Sequence, residues 1–103
     1  MLFRSESVTG GLVAGRLTAT PGSSDVMRGG VVAYSSDVKF DVLGVPRGPV
    51  ISEDTARAMA VGVCKTVGSS VGLALTGVAG PAEQEGAKVG TLCIAVEIGR
   101  AHV

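Results

Sequence analysis

Short apolar runs alternate along the chain with stretches whose apolar positions recur at helical spacing. Residues 1–7, MLFRSES, read as the end of a strand. TGGLVAGRLTA then reads as a loop feeding a helix through Leu12, Val13 and Leu17, which Thr20, Pro21 and Gly22 stop. Gly22-Ser23-Ser24 opens a short helical turn reaching Met27, and Gly29-Gly30 releases the chain into a strand of Val31, Val32, Ala33 and Tyr34. Ser36 fits the N-cap of a short helix carrying Val38, Phe40, Val42 and Leu43, ended by Gly44 and Pro46, with Asp37 complementing the helix dipole. Ser52 before Glu53 and Asp54 is a stronger start signal. Ala56, Met59, Ala60, Val63 and Val67 then share one face until Gly68. VGLALT, residues 71–76, reads as a buried strand; the Gly/Pro-rich loop TGVAGPAEQEGAK leads to a last strand, VGTLCIAV, over residues 89–96.

Strands alternating with helices predict an α/β layered domain with a mostly parallel sheet. Such a sheet is covered on both faces, yet this chain starts inside a strand and ends on one, so the expectation is a domain truncated at both ends.

Composition narrows the picture. With 103 residues, 46% apolar and 17% charged, the chain is one globular domain. Nine basic and nine acidic residues cancel, leaving no field to hold a nucleic-acid backbone. No apolar run approaches the roughly 20 residues of a membrane helix, and no signal peptide opens the chain, so a cytoplasmic protein with no membrane partner is expected. Cys64 and Cys93 are far apart and flanked by apolar residues, as befits buried reduced thiols. The lone histidine, His102, lies in EIGRAHV, residues 97–103, which can be encoded by GAG ATC GGA AGA GCA CAC GTC, a widely used sequencing adapter read in frame. Residues 1–96 are therefore taken as the domain and 97–103 as a non-native tail. Without His102, any base in the chain is a lysine, a tyrosine or a carboxylate.

Three strand ends finish in hydroxyl- or glycine-rich loops: Ser5-Glu6-Ser7 with Thr9-Gly10-Gly11, Tyr34-Ser35-Ser36, and Thr76-Gly77-Val78-Ala79-Gly80. Ligands bind at the carboxyl ends of strands in open α/β sheets, so these loops make the expected pocket. Thr9-Gly10-Gly11 at a helix start suits a phosphate or carboxylate, and equally reads as a glycine-rich turn. Neither GxxxxGK[ST] nor GxGxxG occurs, which removes P-loop and dinucleotide chemistry. Lys39, the only lysine in the first 60 residues, stands near Tyr34 and several serines. Desolvated in a cleft it would be a base toward a serine hydroxyl; otherwise it is a solvated lysine on a helix face. Tyr34 also reads as a packing residue, and Ser24 as an N-cap.

ESVTGG (6–11), PGSS (21–24), RGGVVAYSSDVK (28–39), VLGVP (42–46), LTGVAGP (75–81) and KVGT (88–91) follow one another in an order that resembles the CinA C-terminal domain family. Val8 stands where that family has Cys, and AEQEGAK lacks its glycine run. The resemblance implies a three-layer α/β/α sandwich, a homodimer, and hydrolysis of nicotinamide mononucleotide to nicotinate mononucleotide and ammonia, with no cofactor and no metal. It also implies Ser24 as nucleophile, Lys39 as general base and Tyr34 as an assisting hydroxyl, with Ser7, Thr9, Gly10, Gly11, Thr76 and Gly77 binding substrate. The residues leave open which of Ser7 and Ser24 is the nucleophile. They also leave room for a noncatalytic nucleotide-binding or regulatory module, and for an inactive fragment.

Overall fold

The computed structural model describes residues 2–6 by their backbone, and residues 11–78, 82 and 84–99 in full. Among these the order is β1 (Leu2–Glu6), α1 (Leu12–Thr18), a 3₁₀ turn (Ser23–Asp25), β2 (Met27–Val32), α2 (Ser36–Asp41), α3 (Glu53–Val67), β3 (Val71–Gly77) and β4 (Leu92–Ile98). The strands form one sheet in the order β2-β1-β3-β4. β1 pairs in parallel with both β2 and β3, and β4 closes the far edge antiparallel to β3. The sheet is thus parallel in two of its three pairings.

α3 forms where the start signal lies. The Ser52 hydroxyl accepts from the Thr55 N–H at 3.0 Å, and Gly68 ends the helix in the left-handed conformation at φ 69°. The face predicted for it is its buried face: Ala56, Met59, Ala60 and Val63 are fully buried, joined by Ala33, Leu43, Val45 and Ala74. Burying Met59 and Val63 contributes about 1.5–3 kcal/mol each. Gly72 lets this helix close on the sheet, since a Cβ there would lie 2.7 Å from the Cys64 sulfur and 2.5 Å from the Ala60 carbonyl oxygen.

β1→α1→β2 and β2→α3→β3 run in opposite directions across the sheet, so right-handed crossovers put α1 and α3 on opposite faces. Adjacent residues of β2 record this. Val31 packs against the α3 core, while Val32 lies 3.2 Å from where a Cβ on Gly11, the N-cap of α1, would stand. The result is the expected three-layer arrangement. Beyond α1, the layer is open over β4, where Leu92, Ile94, Val96 and Ile98 are exposed on the face turned away from α3.

Three boundaries differ from expectation. β2 begins at Met27, not Val31, because Gly29 and Gly30 pair with Phe3 and Arg4 of β1; it ends at Val32, where β1 ends. α2 has Ser35 rather than Ser36 at its N-cap position, with no side-chain capping bond. β4 starts at Leu92 because the Thr91 N–H closes a turn onto the Lys88 carbonyl, with Gly90 at φ 88°. It runs on through Glu97 and Ile98, which pair with Gly72 and Val71.

Candidate active site

β1, β2 and β3 point the same way, so the ends of β2 and β3 and the start of α3 gather at one edge of the sheet. Among the described residues three polar or charged side chains are buried, and all three lie there: Lys39, Thr55 and Thr76. A buried polar group costs free energy unless it is partnered, so each partner is informative.

Lys39 lies in α2 and is only 2% exposed. Its ammonium donates to the Ala33 carbonyl at 2.9 Å. That carbonyl is available because β2 pairs no further than Val32. Burial pushes the Lys39 proton affinity below the ordinary lysine value of 10.5, and the negative charge of Glu85 opposes this in part. The expectation of a solvated lysine on a helix face is overturned. A six-residue helix docked against the core turns this position inward.

Thr76 is 1% exposed and its hydroxyl donates to the Val50 carbonyl at 2.8 Å. Expected to hold substrate, its donor is committed to the segment leading into α3. Gly77 follows with a packing duty: a Cβ there would collide with the Thr91 carbonyl oxygen, where the chain returns into β4. Thr55 donates to the Pro49 carbonyl at 3.1 Å. Tyr34, next to the carbonyl that Lys39 holds, is 73% exposed at this edge, its ring turned to solvent. Gly11 caps α1 here at φ 98°. Ser7, Thr9 and Gly10 lie outside the described residues, in the stretch that follows Glu6, the last residue of β1.

Ser24 sits elsewhere. It is exposed in the 3₁₀ turn that precedes β2, and six residues of strand at roughly 3.3 Å each, about 20 Å, separate that turn from the end where Lys39 lies. The structure does not bring Ser24 and Lys39 together.

Two contributors were missed by sequence reasoning. The carboxylate of Glu85 accepts from the Val50 N–H through both oxygens, at 3.0 and 2.9 Å, and from the Ile51 N–H at 2.9 Å. Glu85 and Gly86 form the centre of a tight turn between Gln84 and Ala87, with φ of 54° and 76°. The Glu-Gly pair in AEQEGAK was the available signal. A groove of about 410 Å³ opens beside the same segment, lined by Val45, Pro46, Pro49, Ser52, Thr55 and Ala58.

These features define a doubly wound α/β domain whose buried polar groups converge at the carboxyl edge of its sheet. Residues 1–102 match the CinA C-terminal domain, and the chain belongs to that family. It is 53% identical over 95 residues to a CinA-like protein of Frankia casuarinae, covering 87% of this chain and 22% of the relative. It is 46% identical over 100 residues to a CinA-like protein of Gemmatimonas aurantiaca, covering 91% and 23%. Among solved structures, the competence-damaged protein (CinA) superfamily protein from Enterobacter cloacae superposes with a TM-score of 0.90 at 35% identity, over 95% of this chain and 62% of that one. The competence/damage inducible protein CihA from Agrobacterium tumefaciens gives 0.88 at 38% identity, over 95% and 63%. The chain therefore spans less than a quarter of those curated relatives and about three fifths of the solved chains.

Proposed function

We propose that this chain is part of a nicotinamide-nucleotide amidase, hydrolysing the carboxamide of nicotinamide mononucleotide to the acid and ammonia. The observation that carries the reading is Lys39: buried, held by one backbone carbonyl, and with a proton affinity lowered by desolvation. A lysine in that state is unprotonated, and so available to accept a proton from a hydroxyl, at lower pH than a solvated one, and a serine paired with a lysine is an established substitute for serine paired with histidine. In this mechanism a serine oxygen attacks the carboxamide carbon as Lys39 takes its proton. The proton then passes to the departing ammonia, and water cleaves the acyl ester. The reading takes Ser7 as the nucleophile, since Glu6, the residue before it in the sequence, ends β1 at the edge where Lys39 lies, whereas Ser24 lies at the other end of β2. Exposed Tyr34 is left to meet substrate. Activity is assigned to the protein carrying this domain, as a homodimer in the cytoplasm.

The test is ammonia release from nicotinamide mononucleotide by that protein. Ser7→Ala and Lys39→Ala are each expected to lower kcat by about 10²–10⁴-fold with the circular dichroism spectrum retained. Full turnover in Lys39→Ala overturns the mechanism. Calorimetric binding of the mononucleotide with no ammonia from the unmodified protein overturns the amidase reading in favour of a noncatalytic nucleotide-binding module.

A further inference from the structure

Among the described residues, none of residues 46–51 makes a backbone–backbone hydrogen bond. The last one before this stretch runs from the Val45 N–H to the Lys39 carbonyl, and the next from the Ala56 N–H to the Ser52 carbonyl. Pro46 and Pro49 have no N–H to offer. Side chains from three separate elements fix the stretch instead. Thr55 of α3 donates to the Pro49 carbonyl at 3.1 Å, and Thr76 of β3 donates to the Val50 carbonyl at 2.8 Å. The Glu85 carboxylate accepts from the Val50 N–H at 3.0 and 2.9 Å and from the Ile51 N–H at 2.9 Å. Val50 is buried, so both of its backbone polar groups require a partner, and the Thr76 hydroxyl and the Glu85 carboxylate supply them. The two threonines reach the stretch from inside the domain. Glu85 reaches it from an exposed turn at φ 54°, a left-handed conformation that is costly for a residue other than glycine. Asn would suit an X-Gly turn better, but its side chain is one methylene shorter than that of Glu. Glu85 is thus placed by what its carboxylate holds and against the preference of its turn.

We propose that Glu85 is a positioning residue for the β3 side of the carboxyl edge: by seating the Val50 and Ile51 N–H groups on its carboxylate, it holds the Val50 carbonyl where the Thr76 hydroxyl meets it and so fixes the wall of the site at the end of β3. Both of its oxygens are engaged by backbone, so it acts through the segment it holds and not by touching substrate. The other tie at this edge is separate. The bond from the Lys39 ammonium to the Ala33 carbonyl joins α2 to the residue after β2 and passes through none of residues 46–51. Loss of Glu85 therefore loosens the wall at the end of β3 and leaves the base where it is, a combination that weakens substrate binding while turnover is kept.

The inference rests on the reading of this edge as the substrate site, and the experiment separates the two. In the protein carrying this domain, hydrogen–deuterium exchange is followed by mass spectrometry in a peptide spanning residues 46–52, where the two prolines leave Val50 and Ile51 among the few amides that report. Glu85→Ala removes the carboxylate, Glu85→Asn suits the turn but falls short, and Glu85→Gln keeps the reach and one acceptor oxygen. Glu85→Ala and Glu85→Asn are each expected to speed exchange in that peptide about tenfold or more with the peptides of α3 unchanged. Both are also expected to raise KM for nicotinamide mononucleotide about tenfold with kcat within about threefold of the parent, and Glu85→Gln to recover most of both effects. Exchange unmoved in Glu85→Ala and Glu85→Asn overturns the inference, because the threonines then hold the segment alone. Faster exchange with an unchanged KM overturns it as well and leaves Glu85 a structural tie. A parent that binds the mononucleotide in calorimetry but releases no ammonia sinks the amidase reading; Kd then replaces KM, a weaker Kd in the two variants supporting the inference and an equal one overturning it. A parent that neither turns over nor binds the mononucleotide overturns both. Should Glu85→Ala fail to fold, Glu85→Asn, which relieves the turn, carries the test.

Discussion

The two ends of β2 carry Ser24 and Lys39, two of the three residues singled out for catalysis, and these two differ in almost every physical respect. At its amino end Ser24 sits in a single 3₁₀ turn, exposed, in a stretch where the Ser23 hydroxyl closes onto the Thr18 carbonyl at 3.0 Å. At its carboxyl end Lys39 is buried, its ammonium spent on the Ala33 carbonyl, with Thr76, Thr55 and Glu85 gathered around the neighbouring segment. A hydroxyl in an exposed turn keeps the reactivity it has in water. A buried lysine does not. The contrast teaches that in this fold a residue's chemistry follows from which end of the parallel strands it occupies, because loops and helix starts converge at only one of them.

The largest effect expected from probing that contrast is at Thr76. Replacing it by Val keeps the volume and removes the donor to Val50, leaving a carbonyl without its buried partner. Thr76→Val is expected to cost about 1–3 kcal/mol, read from the shift of the urea midpoint at constant slope. An unchanged midpoint would mean that the Val50 segment is held without Thr76, and that the carboxyl edge is looser than its hydrogen bonds imply.

The next effect is the pH dependence of stability. Lys39 has a folded-state proton affinity below 10.5, so between that lowered value and 10.5 the folded chain binds fewer protons than the unfolded one. The sign follows: stability rises with pH through this window, as the cost of burying the ammonium is relieved. Below the window both states carry the proton and the cost is constant. Lys39→Met, which fills the site without a charge, should abolish the rise. Urea midpoints of the two proteins should therefore converge, or shift in favour of the parent, as the pH approaches 10.5; curves that stay parallel would mean that Lys39 titrates as it does in water.

How much of this was legible differs between the two ends for the same physical reasons. α3 was readable to the residue because fifteen residues give a helical period room to repeat, and because Ser52 and Gly68 are chemically specific stops. The 3₁₀ turn was readable from Gly22-Ser23-Ser24, but it ends at Asp25 rather than reaching Met27, which begins β2. Lys39 was recognisable as chemistry but not as buried, since α2 spans six residues and no period that short assigns a face. Glu85 could be read from its Glu-Gly pair only as a turn residue: in a Gly-rich loop a carboxylate reads as solvated, and only the return of the chain from β3 brings it to Val50 and Ile51. The ordered motifs named the family, but their order along the chain carries no distance. They therefore paired Ser24 with Lys39 across the length of a strand.

The smallest expected effect is the most discriminating. Ser24 is exposed, and surface substitutions away from caps, strain and buried groups change stability within about 0.5 kcal/mol. Ser24→Ala should leave the urea midpoint unmoved and ammonia release at the level of the unmodified protein. The geometric reason is specific: a nucleophile must reach hydrogen-bond distance of its base, and about 20 Å of β2 separates the two ends of this strand. Loss of turnover in Ser24→Ala as deep as in Lys39→Ala, with the fold intact, would require a base other than Lys39 at the amino end of β2. Such a base would have to be Asp25, since Arg28, also near the turn, has no lone pair to accept a proton and donates to the Val67 carbonyl at 2.7 Å. That leaves an exposed carboxylate, a weak base toward a serine hydroxyl. The amino end thus lacks the desolvated environment that the carboxyl end gives Lys39, and a silent Ser24→Ala is the result that this difference between the two ends demands.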